Sequence, residues 1–238
     1  MRIKQVPALA VALTLLTAAC SSTEATTTTT PPTAVEVLEM AAATMGSVDT
    51  VQFSIERGGE PVYIDTQGFL EFVSATGRYA APGTADALVT VSALGLSTEV
   101  GAVVIEGDTW LTNPITGTWE PTPPGYSFDP ATLFDPQIGF RAMLQEGIPT
   151  VEDLGDEIVD EAPLRHVRFT ASGERVEVVT AGMVRGEDVT IDAWIEPDSG
   201  ELRRAMFPTT IGATPTEWDL SFFDYGADIT ITPPDLGG

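Results

Sequence analysis

The chain has 238 residues, and its 11 lysines and arginines against 35 aspartates and glutamates give a formal net charge of −24. This acidity argues against a nucleic-acid-binding protein, because phosphate recognition needs a basic surface. One cysteine and one histidine exclude an intrachain disulfide and zinc sites that need several thiolate or imidazole ligands. The hydrophobic fraction of 43% indicates a globular chain and not a disordered acidic one.

Residues 1–19 have the pattern of a secretory signal peptide. Arg2 and Lys4 precede a short apolar run over residues 6–19, which is a basic region followed by a hydrophobic region. The run is too short to remain as a helix across the roughly 30 Å hydrocarbon core of a bilayer. Since Lys4 is the only lysine, the predicted mature chain contains none.

The residues Leu16-Thr17-Ala18-Ala19-Cys20 resemble a bacterial lipobox, although Thr17 stands where lipoboxes usually have leucine. The resemblance implies that Cys20 carries a thioether-linked diacylglycerol and becomes the first residue of the mature chain. The alternative is an ordinary signal peptide followed by a free cysteine. Residues 20–33 are then expected to be a disordered Thr/Pro-rich tether, about 45 Å long when extended, which leads to one domain at 34–238.

The first part of the domain is predicted to be a helix followed by strands. Val35, Leu38, Ala42 and Met45 recur at helical spacing and predict a helix over residues 34–45. Alternation of Val51, Phe53 and Ile55 with polar residues then predicts a half-buried strand. Further strands are predicted at 63–65, 69–73, 88–92, 101–105, 109–112 and 118–120, and the 101–112 segment has the pattern of a hairpin.

A second helical segment and a second run of strands follow. Asp129-Pro130 is a helix-start signal, repeated at Asp135-Pro136, and it predicts helical structure up to Gly147. The bulky apolar residues of this segment are Phe134, Ile138, Phe140, Met143 and Leu144. From Asp156 onward strands are predicted at 164–170, 175–179, 189–196, 201–207, 218–223 and 227–232.

About ten antiparallel strands with two main helical segments predict one α+β domain built on a large antiparallel sheet. Two helical segments are few to cover such a sheet. We therefore expect the sheet either to close on itself or to leave a cavity.

The candidate catalytic and metal-binding residues are too unspecific to predict an enzyme, and we expect no cofactor. A Ser-His-Asp site could use only His166, which we interpret as a surface histidine on a strand with Leu164 and Arg168. The acidic pairs within residues 152–161 could supply two catalytic carboxylates or calcium ligands, but a solvated loop face is the simpler interpretation. No nucleophile-elbow motif and no phosphate-binding loop occurs in the sequence.

Several segments together are similar to one family of lipoproteins. They are residues 105–119, 128–139 and 194–202, followed by the closing segment 223–226 and Pro233-Pro234. In this order, after a lipobox, they resemble the LppX/LprG-type lipoproteins of mycobacteria and related actinobacteria over about residues 34–234. The resemblance implies a strongly curved antiparallel half-barrel, with helices on its concave side and an apolar cavity between them.

The resemblance also implies a function. Members of the family carry the acyl chains of envelope lipids or glycolipids, so we expect a non-enzymatic carrier held by the Cys20 anchor on the extracytoplasmic face of the cell membrane. The resemblance leaves open a membrane lipid exporter as a partner. The acidity of the chain argues against nucleic acid as a partner. Eight residues are predicted to line the cavity: Val51, Phe53, Ile55, Phe134, Ile138, Phe140, Met143 and Leu144.

Two other classes of function stay open at this stage. The first is an interaction or stress-sensing lipoprotein, or an exporter accessory, that binds no lipid cargo. The second is a hydrolase of envelope polymers, which would need two carboxylates that converge in a cleft.

Overall fold

The computed structural model describes residues 31–64, 67–122, 129–210 and 215–236. The predicted signal peptide, Cys20 and most of the predicted tether therefore lie outside the described residues. Residues Pro32–Gly238 form one compact unit, and the buried apolar residues of the described chain lie within it. We therefore expect this unit to fold on its own.

A single open antiparallel sheet of twelve strands dominates the described part of the chain. In chain order the strands are β1 (Thr50–Gly59), β2 (Val62–Tyr63), β3 (Glu71–Ala80), β4 (Thr84–Ala93), β5 (Leu96–Ile105), β6 (Asp108–Thr112), β7 (Trp119–Pro121), β8 (Val151–Val159), β9 (Ala162–Ala171), β10 (Val189–Ile195), β11 (Leu202–Thr209) and β12 (Thr216–Phe223). Their spatial order is β7-β6-β5-β4-β3-β1-β12-β11-β10-β9-β8, and β2 pairs with β3. The large antiparallel sheet of the predicted α+β fold class is confirmed.

The described residues include one helix of 13 residues and three shorter helical segments, and buried side chains of each belong to the same apolar core as those of the sheet. They are α1 (Ala34–Gly46), a 3₁₀ helix (Pro130–Phe134), α2 (Phe140–Gln145) and α3 (Gly173–Val179). A capping box starts α1, since the Glu36 N–H donates to Thr33 Oγ1 and the Thr33 N–H donates to Glu36 Oε2. The predicted place of Val35 on the apolar face of α1 is wrong, because Val35 is 49% exposed and Val37 is the buried residue.

The predicted strand over residues 175–179 is wrong, because this segment is helix α3. Its valines alternate in sequence, but Val176 and Val179 are also three residues apart, and the helix buries both on one side. Gly173, the first residue of the helix, packs directly on the backbone of Glu187, where a Cβ would not fit. The tertiary contacts therefore decide between two patterns that the sequence allows.

The predicted strand over residues 227–232 is also wrong, since no regular structure follows β12 up to residue 236. The strand β12 already lies between β1 and β11, so no free edge is available where the chain leaves it. Instead Gly226 N–H donates to the carbonyl of Thr50, and the Thr50 hydroxyl donates to the carbonyl of Ala227. These bonds hold the chain end beside the start of β1.

Candidate functional site

The apolar face of the sheet is organised around its central strand β1. Val51, Phe53 and Ile55 alternate along β1 and are 0%, 1% and 7% exposed. Because successive residues of a strand point to opposite faces, all three side chains lie on the same face. We call this the helical face of the sheet, because the helices pack on it, and we call the opposite one the outer face.

Phe134 connects the 3₁₀ helix to the helical face. Its ring stacks on Tyr79 of β3, with centroids 4.5 Å apart, and lies 5.7 Å from the ring of Phe53. Phe140 of α2 continues the cluster, 5.8 Å from Phe134 and 5.0 Å from Phe222 of β12. These five rings fill the space between the sheet and the helical segments, and together they form the aromatic cluster.

The structure buries most of the predicted cavity residues in the apolar layer between the sheet and the helical segments. Phe134, Phe140, Met143 and Leu144 are buried, as are the three residues of β1. Ile138 lies elsewhere, because it is 41% exposed in the connection before α2. Tyr79 and Phe222 were not predicted as site residues, since only the pairing register of the strands brings them to the aromatic cluster.

Two aspartates shape the chain around the 3₁₀ helix. Asp129 caps its start, because Oδ1 accepts a hydrogen bond from the Ala131 N–H at 2.8 Å. Asp135 ends it and accepts from the N–H of Gln137 and of Ile138. The first helix-start signal is therefore confirmed, whereas the second one forms a turn, and α2 begins only at Phe140.

A groove of about 540 Å³ opens beside the aromatic cluster. It lies between the end of α1, the β3–β4 turn and the 3₁₀ helix, and its apolar wall includes Met45, Val48, Tyr79, Val104, Ala131 and Phe134. Asp49, Asp129 and Asp135 are also among the residues that line this groove. Burial, with Asp135 nearby, raises the pKa of Tyr79, so its phenol stays neutral and protonated at physiological pH.

Two further spaces lie elsewhere on the sheet. A small pocket of about 50 Å³ lies between β1, β3, the 3₁₀ helix and α3, and Ile55, Phe72, Leu133 and Val179 are among the residues that line it. A shallow groove of about 370 Å³ contains Thr76, Leu88, Gly101 and Trp119. Leu88 alternates with the buried Ala87 and Val89 of β4 and is 44% exposed, so this second groove includes the outer face.

His166 also lies on the outer face, in a closed network. Its Nε2 is 2.9 Å from Asp192 Oδ1 and its Nδ1 is 3.2 Å from Glu157 Oε2. Its ring stacks on Trp194 at 4.4 Å, and the Trp194 indole N–H donates to the same Glu157 oxygen. The histidine is thus engaged by structural partners on the face of the sheet opposite the aromatic cluster.

Two acidic residues of β8 are bound to an arginine of the neighbouring strand. Arg165 of β9 donates to Asp156 at 2.9 Å and to Asp153. Throughout the described part of the chain, no group of three or more His, Cys, Asp or Glu side chains has an arrangement that could hold a metal ion. In the same residues, no helix is long and apolar enough to cross a membrane.

Comparisons with known proteins identify the fold. The crystal structure of LprF from Mycobacterium bovis aligns with a TM-score of 0.66 at 16% identity, covering 88% of this chain and all of that one. The lipoprotein LppX of Mycobacterium tuberculosis aligns with a TM-score of 0.60 at 14% identity, covering 84% of this chain and 98% of that one. These identities establish a shared fold only.

No curated protein matches the chain in sequence. The sequence model of the LppX_LprAFG lipoprotein family does match it, over residues 31–231, which is nearly the whole folded unit. The chain therefore belongs to the LppX_LprAFG lipoprotein family.

Proposed function

We propose that this lipoprotein is a carrier of envelope lipids or glycolipids and has no catalytic activity. Acyl chains would enter through the 540 Å³ groove and occupy the apolar layer between the helical face and the helices. The observation that carries the proposal is the continuity of this groove with the aromatic cluster, since Tyr79 and Phe134 belong to both. Each CH₂ group transferred from water to such a layer contributes about 0.8 kcal/mol.

The size and the construction of the site support a lipid cargo. A volume of about 540 Å³ lies within the range of roughly 300–1,000 Å³ that is usual for small-molecule sites. The three helical segments over the centre of the sheet have only five, six and seven residues, and helices this short have little stability of their own. The layer can therefore open while the strand pairs of the sheet stay intact, which would enlarge the space for acyl chains.

The polar groups of the groove favour a particular headgroup. Asp49, Asp129 and Asp135 all contribute to its lining, and the chain as a whole has a net charge of −24. Carboxylates repel a phosphate but accept hydrogen bonds from hydroxyl groups. A glycolipid or another lipid with an uncharged headgroup is therefore the cargo that this groove would accept best.

Lipid binding can be tested on the purified unit Pro32–Gly238 by native mass spectrometry, lipid extraction and titration with a fluorescent acyl-chain probe. We expect one lipid per chain and saturable binding of the probe. The variant Val48→Trp, which would fill the groove, should weaken binding about tenfold or more. The matched variant Leu88→Trp, on the outer face, should leave binding unchanged. The carrier proposal fails if no lipid copurifies and no probe binds saturably.

A second candidate function is an interaction or sensor lipoprotein, or an exporter accessory, without cargo. The close packing of the five aromatic rings favours it, because a filled layer needs no ligand. A protein partner recovered by crosslinking in the envelope, together with a lipid-free purified unit, would support this alternative.

The membrane anchor completes the proposal. We propose that Cys20 is lipidated and retains the domain at the extracytoplasmic face of the cell membrane, from where it would move lipid across the envelope with or without an exporter. The variant Cys20→Ser should release the chain from the membrane fraction. Mass spectrometry of the mature N-terminus should show diacylglycerol on Cys20, and an unmodified cysteine would contradict this part of the proposal.

A further inference from the structure

The two ends of the sheet carry different residues on their turns. At one end, which we call the apolar end, residues 67–70 precede β3 and residues 93–98 contain the β4–β5 turn. At the other, which we call the acidic end, residues 105–108 form the β5–β6 turn and residues 159–162 form the β8–β9 turn. The antiparallel register places these two pairs of segments at opposite ends of the strands.

The apolar end projects three large side chains into solvent. Phe69 is 63% exposed, Leu94 is 98% exposed and Leu96 is 76% exposed. Glu71 pairs with Ser92 and Ala93 pairs with Leu96, so the three side chains leave the sheet at nearly the same level on β3, β4 and β5. Neighbouring strands are about 4.8 Å apart, and the three therefore emerge within a lateral distance of about 10 Å.

Leu94 occupies a backbone position that leucine disfavours, and its side chain is not buried in the fold. Leu94 has φ +52° and Gly95 has φ +80°, which is a type I′ turn that favours Asn-Gly or Asp-Gly. Leucine is disfavoured at this left-handed position, and here it also gains no burial. At the acidic end, the equivalent turn positions hold Glu106, with the same φ of +52°, and Asp160-Glu161.

We infer that the apolar end docks onto a lipid bilayer, with Phe69, Leu94 and Leu96 entering the boundary between headgroups and acyl chains. Residues 67–70 and 93–98 contain no charged residue in a chain whose net charge is −24. The turns of the acidic end are repelled by anionic lipid, whereas the two apolar segments carry no charge of their own, although Glu71 and Glu99 directly follow them in the sequence. The charges of the turns and the larger number of exposed apolar side chains therefore favour the same orientation, even though Ile158 beside the β8–β9 turn is also 69% exposed.

The shape of the apolar end favours lipid over a protein partner. The three side chains stand on narrow turn tips, whereas a stable protein interface usually buries about 800 Å² on each partner. A bilayer boundary accepts separate apolar side chains that penetrate about 5–10 Å. The 13 residues between Cys20 and α1 span at most about 45 Å, which exceeds the roughly 33 Å length of a ten-residue strand, so an anchor at Cys20 allows this orientation.

This inference is independent of the proposed function. The 540 Å³ groove is lined by residues of the β3–β4 turn and by Gly107, which lie at the acidic end. A docked domain would therefore hold the groove open toward the side away from the bilayer. Failure to dock would leave the lipid-binding proposal intact, and failure to bind lipid in the groove would leave the docking inference intact.

The test uses the unit Pro32–Gly238, which contains no cysteine because Cys20 is the only one in the chain. The variants Leu94→Cys and Glu106→Cys place the same environment-sensitive fluorophore on matched turns at the two ends. With vesicles of phosphatidylcholine and phosphatidylglycerol, the emission from position 94 should shift to the blue and rise several-fold, and the emission from position 106 should not change. No response at 94, or an equal response at 106, overturns the inference.

A second variant separates docking from folding. Leu94→Asn should lower vesicle partitioning about tenfold or more, because one apolar side chain leaves the bilayer. It should keep or raise the Tm, since asparagine tolerates the left-handed conformation. Unchanged partitioning overturns the inference. It is also overturned if the label at 94 is protected only by vesicles that carry envelope membrane proteins, because the apolar end would then bind a protein.

Discussion

The ring of Phe134 stacks on the ring of Tyr79 with 4.5 Å between centroids and 22° between planes, at the border between the groove and the aromatic cluster. Phe134 belongs to the 3₁₀ helix and Tyr79 to the sheet, so this contact joins the two layers where the groove ends. If acyl chains enter the layer from the groove, they must pass these two rings.

Phe134→Ala should therefore lower stability and speed up the exchange of lipid. Phe134 is 3% exposed, and truncating a buried phenylalanine costs about 3–5 kcal/mol. Chemical denaturation measures this loss, and the release of a fluorescent acyl-chain probe measures exchange. Phe169→Ala, a 2% exposed residue of β9 outside the aromatic cluster, is the control for stability alone. Equal exchange rates in the two variants would contradict a gating role for Phe134.

The sheet could be predicted from the sequence because burial of one face leaves a period of two in the chain. Val51, Phe53 and Ile55 show this period clearly, and the structure buries all three. The hairpin over residues 101–112 could also be predicted, since Glu106-Gly107 is a strong turn signal between two apolar runs. In these segments the local pattern and the tertiary environment agree.

The aromatic cluster could be predicted only in part, because it depends on which strands are neighbours. Tyr79 meets Phe134 because β3 pairs with β1 and places Tyr79 opposite Val51. Nothing in the residues around Tyr79 fixes that register, since it arises when the whole sheet assembles. For the same reason, the alternating valines of α3 predict a strand in the sequence, although they meet the core as a helix.

Gly77→Ala should destabilise the sheet at the aromatic cluster. A Cβ at position 77 would overlap the ring of Phe53 and lie 2.6 Å from the carbonyl oxygen of Asp86. Relieving this overlap requires a shift of buried groups and should cost about 1–3 kcal/mol. Gly58→Ala is the matched control, because a Cβ at Gly58 of β1 has no neighbour within 4 Å. Urea denaturation should show a loss for Gly77→Ala only, and equal effects would contradict the steric account.

His166→Ala should lower stability without changing lipid binding. The substitution removes the ring that stacks on Trp194 and the contact with Asp192, which together should be worth about 1–2 kcal/mol. Because His166 lies on the outer face, binding of an acyl-chain probe should stay the same. His166→Gln keeps hydrogen-bonding capacity but lacks the ring, so it should recover only part of the loss. A fall in probe binding at unchanged stability would contradict this assignment and indicate a direct role for His166.

Stability should fall as the pH rises above about 10. Burial raises the pKa of Tyr225 above its ordinary value near 10, and burial also raises the pKa of Tyr79. The folded chain therefore keeps these phenols protonated at a pH where the unfolded chain loses the protons. The stability that they contribute is complete below about pH 10 and decreases as the pH rises further.

This chain offers an unusually clean measurement of that effect. Lys4 is the only lysine and Cys20 the only cysteine, so in the unit Pro32–Gly238 tyrosine is the one type of side chain whose ordinary pKa lies between pH 8 and 11. Tyr225→Phe should lose about 1 kcal/mol at neutral pH, because the Tyr225 hydroxyl donates to the Leu202 carbonyl at 2.6 Å. Between pH 8 and 11, however, it should lose less stability than the unsubstituted chain. An identical pH profile for Tyr225→Phe and the unsubstituted chain would contradict the burial of Tyr225 as the cause of the alkaline decrease.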